Sequence, residues 1–259
     1  MRILHVWNTA GVASIIAKFM DRLFSTESLV VHRKKFDKFG FTVYGELWDC
    51  GSYRFILKII WLARKFDIIH IHDLDILLPI LRRIYPKKPL IIHYHGSKIR
   101  NKWSQRKKYW KRADIIFFST KDLCETDTPE QAIYLPNPVD IDLFHPISGV
   151  KKKQNTALAF LYYLDEKKAK EYADKYGLAL EFLERNIPYR KLPEVLNRYS
   201  HYIDRTEIPS LSKTGLEALA CGLKVIRWDG KMIEKLPEEH YPDVVVRKLF
   251  SIYQSLLQG

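Results

Sequence analysis

Short runs rich in β-branched and aromatic residues alternate with segments of helical period through the first half of the chain, and this alternation is the pattern of βαβ units around a parallel sheet. "RILHVW" (2–7) leads through a glycine-containing turn into an apolar helix from about Val12 to Leu23. "SLVVH" and "FTVYGEL" read as further strands. "SYRFILKIIWLARKF" has Phe55, Ile59, Leu62 and Phe66 at three- and four-residue steps, which predicts a helix. The strand "DIIHIH" (67–72), the helix "LDILLPILRRIY", the strand "PLIIHYH" (89–95), a basic helix and the strand "DIIFFST" (114–120) complete a doubly wound set.

"YLPNPVDIDLFHP" (134–146) carries three prolines and opens into the polar "SGVKKKQNT", so a domain boundary is expected there, with domains over 1–145 and 146–259. A smaller α/β set follows, with strands "ALAFLYY" (157–163), "ALEF" (179–182), "HYID" (201–204) and "KVIRW" (224–228). Helices are expected near 165–176, 191–199 and 214–221, and a last helix, about 243–257, is free to pack on the first domain.

The chain has 259 residues and is 47% hydrophobic and 28% charged, enough to bury a sizeable core and too apolar for a disordered chain. Its 43 basic residues exceed its 30 acidic ones by 13, which favours phosphates, anionic membrane or nucleic acid as partners. The stretch "SKIRNKWSQRKKYWKR" (97–112) holds eight basic residues and no acidic one. Cys50, Cys124 and Cys221 are too scattered for a zinc or redox motif, and a reducing cytoplasm is the expected home. Asn8, Thr9 and Gly11 interrupt the apolar N-terminal run, which is not expected to be a signal peptide. No uninterrupted apolar run reaches membrane-spanning length.

Parallel sheets bind ligands beyond the carboxyl ends of their strands. After "RILHVW", Gly11 stands where the backbone turns into a helix whose free N–H groups face either an anion or only solvent. His93 and His95 alternate along one strand and His70 and His72 along another, so each pair shares a face. His95 lies at a strand end beside Gly96, where structural and ligand-contacting roles are both open. The four histidines have no clear carboxylate partner, and no metal site is expected of them. In "DLD" (73–75) and "DID" (140–142) the aspartates read as caps rather than metal ligands. Trp103, Tyr109 and Trp110 interleave with the cations of the basic stretch, a composition that suits single-stranded nucleic acid, an anionic membrane or a merely solvated face.

"LSKTGLEALACGLKVI" (211–226) reads as a short helix stopped by Gly222. Thr214 and Glu217 have the spacing of a capping box. Ser212, Lys213 and Gly215 also place a cation and bare backbone at the positive end of a helix, the parts of a phosphate site.

In order along the chain, "MRILHVWNTAGVAS", "DIIHIH", "HYHGS", "ADIIFFSTKDL", "LPNPVDIDLFHP" and "LEALACGLKVI" resemble the landmarks of the retaining GT-B glycosyltransferases of the group 1, family 4 type. The resemblance implies an α/β protein of two Rossmann-like domains facing a cleft, with the second reduced. The first domain would serve the acceptor and the second the nucleotide sugar, without cofactor or metal. Gly11 matches the glycine loop near the donor phosphates, His95 the histidine beside the transferred sugar, and Glu217 the second glutamate of a paired motif that bonds the ribose. The first glutamate of that pair falls at Pro209, and Glu207 is the nearest substitute. Tyr162 and Tyr163 stand where an arginine of the diphosphate clamp is expected, so Arg205 and Lys213, with Thr214 and the Gly215 backbone, are assigned the donor charge.

These readings lead to a sugar transferase with His95 and Glu207 as catalytic candidates, acting on a lipid-linked or glycan acceptor in polysaccharide or glycolipid synthesis. Lys98, Arg100, Trp103, Lys107, Lys108 and Lys111 would face the acceptor or an anionic membrane, placing the protein in the cytoplasm, peripheral on the inner face of the membrane. A silent sugar-nucleotide-binding protein and a nucleic-acid binder are the alternatives.

Overall fold

A computed structural model describes residues 1–258. The chain divides into two compact units, Met1–Pro138 together with the helix that begins at Pro242, and Val139–Tyr241. In sequence order the first unit contains β1 (Arg2–Val6), α1 (Val12–Phe24), β2 (Glu27–Arg33), β3 (Glu46–Trp48), α2 (Ser52–Ala63), β4 (Ile68–His72) and α3 (Leu78–Ile84). It continues with β5 (Leu90–Tyr94), α4 (Trp103–Trp110), β6 (Ile115–Phe118) and β7 (Ala132–Tyr134). Its seven strands lie in the order β3-β2-β1-β4-β5-β6-β7, every pair parallel.

Residues alternate between the faces of this sheet, as strand geometry requires. Leu4, Val6, Ile69, Ile71, Leu90, Ile92 and Tyr94 belong to one apolar core with Phe55 and Ile59 of α2, Leu81 of α3 and Trp103 of α4. The intervening positions include His5, His70, His72 and His93, all buried. The "FTVYGEL" expectation shrinks to β3, because Gly45 (φ +133) breaks the run and a Cβ there would lie 2.6 Å from the Val30 carbonyl oxygen.

The second unit contains β8 (Lys153–Phe160), α5 (Glu166–Lys175), β9 (Ala179–Leu183), α6 (Leu192–Leu196) and β10 (Tyr199–Ile203). α7 (Lys213–Ala220), β11 (Lys224–Ile226) and β12 (Met232–Ile233) complete it. The strand order is β12-β11-β10-β8-β9, parallel except for the edge pair, β11 with β12.

The change of unit falls at Pro138, before the 145/146 position read from the prolines. Residues 139–145 are tied to the second unit, where the Val139 N–H donates to the His240 carbonyl and Phe144 packs against Tyr189 at 5.2 Å. The closing helix α8 (Pro242–Gln258) belongs to the first unit. Phe250 stacks on Phe24 of α1 at 3.9 Å, and Tyr253 is fully buried with its hydroxyl on His70.

Candidate functional site

Each sheet has a switch point where the strand order reverses, and the loops leaving the flanking strands frame a crevice there. In the first unit it lies between β1 and β4. Asp73, directly after β4, is held at φ +58 and does not cap a helix as expected. Its carboxylate accepts from the His95 N–H at 2.9 Å and the Thr9 hydroxyl at 2.6 Å, joining the exits of β1, β4 and β5. Asp75 is also no cap: it is fully buried, accepts from the Tyr94 hydroxyl at 2.7 Å and pairs with Arg106. Asp140 caps its own turn, accepting from the Asp142 N–H.

Gly11 precedes α1 at φ +79, where a side chain would be strained and a Cβ would lie 3.1 Å from the Phe41 carbonyl oxygen. Asn8 bonds Ser14 and Thr42, closing this loop on itself.

His95 stands just past β5, partly exposed. Its Nδ1 contacts Asn137 Oδ1 at 3.2 Å and its Nε2 contacts His72 Nδ1 at 2.9 Å. His72 Nε2 in turn meets His5 Nδ1 at 3.2 Å, and His70 Nδ1 meets the Tyr253 hydroxyl at 2.6 Å. Burial lowers the pKa of His95 despite Asp73. Desolvation holds His5 down at about 4 and pushes His70, His72 and His93 well below the ordinary value, helped by their neighbours. The cluster is therefore neutral at pH 7.

The basic stretch is divided by the fold. Trp103 and Trp110 are core residues, not an outward stacking face, and their indole N–H groups donate to backbone carbonyls of Leu123 and Trp103. Arg100 is paired with Asp122. These contacts correct the acceptor or membrane roles expected of Trp103 and Arg100 and take two of the three aromatics of the basic stretch away from any stacking face for nucleic acid, leaving only Tyr109 partly exposed. Lys98, Lys107, Lys108 and Lys111 remain exposed. A groove of about 550 Å³ bounded by Asp67, Tyr85, Lys88 and Leu257 lies at the amino ends of β4 and β5, away from the strand ends that carry this chemistry.

In the second unit the switch point falls between β8 and β10. Tyr162 and Tyr163 follow β8, are exposed and pack edge to face at 4.5 Å. Asp204 and Arg205 follow β10. The helix N-cap is Ser212, whose hydroxyl accepts from the Gly215 N–H at 2.9 Å; Thr214 lies inside α7, so the expected Thr214–Glu217 capping box does not form. The start of the helix also has a built-in anion. Asp204, fully buried, accepts from the Ser212 N–H at 2.7 Å and its hydroxyl at 2.5 Å, and burial raises its pKa against these bonds. Sequence reading placed Asp204 inside a strand and gave it no role.

Gly215 makes room for that carboxylate, since a Cβ would lie 2.7 Å from Asp204 Oδ2. Alanine is the better helix former, but the pinned carboxylate outweighs that preference. Gly215→Ala is expected to cost about 1–3 kcal/mol, read as a lowered urea midpoint. An unchanged or raised midpoint would show that Asp204 swings aside.

Arg205 donates to the Ser210 carbonyl and hydroxyl, bracing the loop, while Glu207 is exposed with its backbone N–H on Tyr163. Glu217 is 1% exposed. Its Oε1 accepts from Lys213 Nζ at 2.6 Å and from the Tyr189 hydroxyl at 2.9 Å. Its Oε2 is buried with no hydrogen-bond partner. No sequence signal pointed to Tyr189, which comes from the short turn before α6.

No protein-family model and no curated protein matches the sequence. Solved structures do. The chain is similar to a sucrose-phosphate synthase from Thermosynechococcus elongatus at 11% identity and a TM-score of 0.54, over 88% of this chain and 81% of that one. MurG from Acinetobacter baumannii superposes at 12% identity and TM-score 0.43, over 99% and 92% of the two chains. The β-glucosyltransferase of T4 phage gives 12% and 0.45, over 100% and 94%. The likeness to the synthase shows the fold, and the chain has a glycosyltransferase-like α/β fold of the GT-B kind.

Proposed function

We propose that the protein transfers a sugar from a nucleotide-diphosphate sugar to a lipid-linked or glycan acceptor, with retention and without a metal bridging the diphosphate. The observation that carries this reading is Glu217 Oε2, a buried carboxylate oxygen with no partner on the helix that follows the β8/β10 switch point. Leaving such a group unpaired costs about 1–3 kcal/mol, and a ribose hydroxyl would satisfy it. Arg205 and Lys213 supply positive charge for the diphosphate, and the exposed Tyr162–Tyr163 pair offers a face to the base. Because Asp204 already occupies the start of α7, stabilisation of the leaving diphosphate falls to these side chains rather than to the helix end. Thr214 and the Gly215 backbone keep a supporting role at most.

In the first unit, neutral His95, fixed by His72 and Asn137, is the catalytic candidate, and the Gly11 loop lies at the neighbouring strand exit. Glu207 is the exposed carboxylate nearest the position taken by Pro209. Lys98, Lys107, Lys108 and Lys111 would attract an anionic bilayer on the cytoplasmic side. On α2, Tyr53, Leu57 and Trp61 are exposed on one face beside Arg54, Lys58 and Lys65, a composition suited to an interface. No described helix is long and apolar enough to cross a membrane.

A second reading, a sugar-nucleotide-binding protein without transferase activity, is favoured by Asp204, which neutralises the anion site expected at α7. A thermal-shift screen of nucleoside diphosphates and their sugars, followed by a transfer assay with the best donor, separates the two. A donor present at many times its Kd is expected to raise stability by a few kcal/mol, and Glu217→Gln to abolish that ligand-induced increment whatever its own Tm. Binding without transfer selects the second reading. No shift with any nucleotide overturns both.

A further inference from the structure

We propose that His5, His70 and His72 form a binding site for one divalent ion of the zinc, cobalt or nickel class, buried on the face of the first sheet that packs against α8. His5 of β1 pairs in register with His70 of β4, and His72 follows two residues on, so strand alternation brings three imidazoles to one face of two adjacent strands. One ring nitrogen from each lies within 4.8 Å of the others. His5 Nδ1 and His72 Nε2 are 3.2 Å apart, close to the about 3.3 Å between two ligand nitrogens of a tetrahedral zinc.

For His70 and His72 the outer contacts already have the form that metal-bound histidines need, in which the second ring nitrogen is held by a fixed partner. Asn137 Oδ1 can only accept, so His95 Nδ1 donates to it and His95 Nε2 accepts from His72 Nδ1. That sequence leaves a lone pair on His72 Nε2, facing His5. His70 Nδ1 is engaged by the Tyr253 hydroxyl, and His70 Nε2 is buried with no partner. His5 Nε2 is also without one. The unpaired His70 nitrogen is costly to bury unless something binds it, whereas His5 Nε2, on the far side of a ring that would use Nδ1, keeps its own cost with or without an ion. An ion between the three rings would take up the His70 lone pair and replace the His5–His72 contact, with the His70 nitrogen drawn in from a spacing of up to 4.8 Å toward that of a bound ligand.

Imidazole donors without carboxylate or thiolate exclude calcium and magnesium and favour late first-row ions. Asp21 of α1 is the carboxylate whose charge acts on His5. A second trio, His72, His93 and His95, also has nitrogens within 4.8 Å. Using it would break the 2.9 Å His72–His95 bond, and both nitrogens of His93 lack a hydrogen bond of normal geometry, although the Leu135 backbone lies near enough to favour its protonated form. The first trio keeps every outer contact.

The test uses tag-free full-length protein dialysed against a chelator and then titrated with cobalt(II), followed by its visible absorption, and with zinc(II) against a chromophoric competitor. About one tightly held equivalent of either ion is expected. Tyr253→Phe, which removes only the hydroxyl that holds His70, is expected to keep the fold by circular dichroism and weaken the ion 10- to 100-fold. His70→Gln is expected to lose it. Folded, chelated protein that takes up neither ion overturns the proposal. So does Tyr253→Phe binding as tightly as the parent, or binding that survives His70→Gln and is lost in His93→Gln, which would put the ion in the other trio.

Discussion

Between pH 6.5 and about 4, protein freed of metal by chelation is expected to lose most of its stability. His5, His70, His72 and His93 are buried, and desolvation is the leading cause that holds each neutral; His5 is lowered to about 4. In the unfolded chain the same residues take up protons near 6.5. Over that window the unfolded state binds more protons than the folded state, so stability falls as pH falls and is level above it. Each histidine contributes about 1.4 kcal/mol per pH unit, and four acting together approach about 5 kcal/mol per unit. A domain stabilised by about 5–15 kcal/mol cannot sustain that slope for more than two or three units. Asp21 near His5 and Asp73 near His95 oppose the trend, as does Asp204, whose carboxyl is raised. They are three carboxylates against a larger buried cluster. Urea midpoints at pH 8, 6, 5 and 4.5 check the expectation. A midpoint constant from pH 7 to 5 would mean that water or rearrangement lets the rings ionise in place.

The second large effect is expected from Lys213→Met. Lys213 and Glu217 are an i, i+4 pair on α7 with side chains 10% and 1% exposed, so the ammonium is the countercharge of a carboxylate that water does not reach. Removing it leaves Glu217 with the Tyr189 hydroxyl alone. The loss of one partner of a buried pair costs about 3–5 kcal/mol, whereas replacing both with apolar residues of similar volume is often close to neutral. Lys213→Met is therefore expected to lower stability by that amount, and Lys213→Met with Glu217→Leu to recover much of it, a coupling read from a double-mutant cycle in urea. Less than about 1 kcal/mol for the single variant would show that Lys213 is not the partner on which burial of Glu217 depends. The same pair explains why Glu217→Gln is not a silent probe. The amide keeps the shape but leaves the ammonium without its carboxylate, so the ligand-induced increment is the proper measure of the proposed ribose contact.

The pattern of the chain by itself determined the doubly wound first sheet. Period-two and period-3.6 patterns are local properties, and β1, β4, β5 and β6 fall where "RILHVW", "DIIHIH", "PLIIHYH" and "DIIFFST" place them. The same alternation correctly put His70 with His72 and His93 with His95 on shared faces. That His5 joins them depends on β1 lying beside β4, and that Tyr253 holds His70 depends on the last helix returning to the first unit; both are pairings of residues remote in sequence. The basic stretch shows the same division. Its charge was legible, but Trp103 and Trp110 went to the core because an eight-residue helix on a sheet must bury one face, and its aromatics were the only large apolar groups it had.

At α7 the sequence offered Thr214 and Glu217 as a self-contained cap, because capping is read from spacing alone. Tertiary structure moved the cap to Ser212, brought Asp204 to the helix start through a gap that only Gly215 leaves, and turned Glu217 toward Lys213 and Tyr189. Local spacing states which groups can meet along a chain. Which of them do meet is decided by burial, because a carboxylate removed from water has to find its partners wherever the fold brings them.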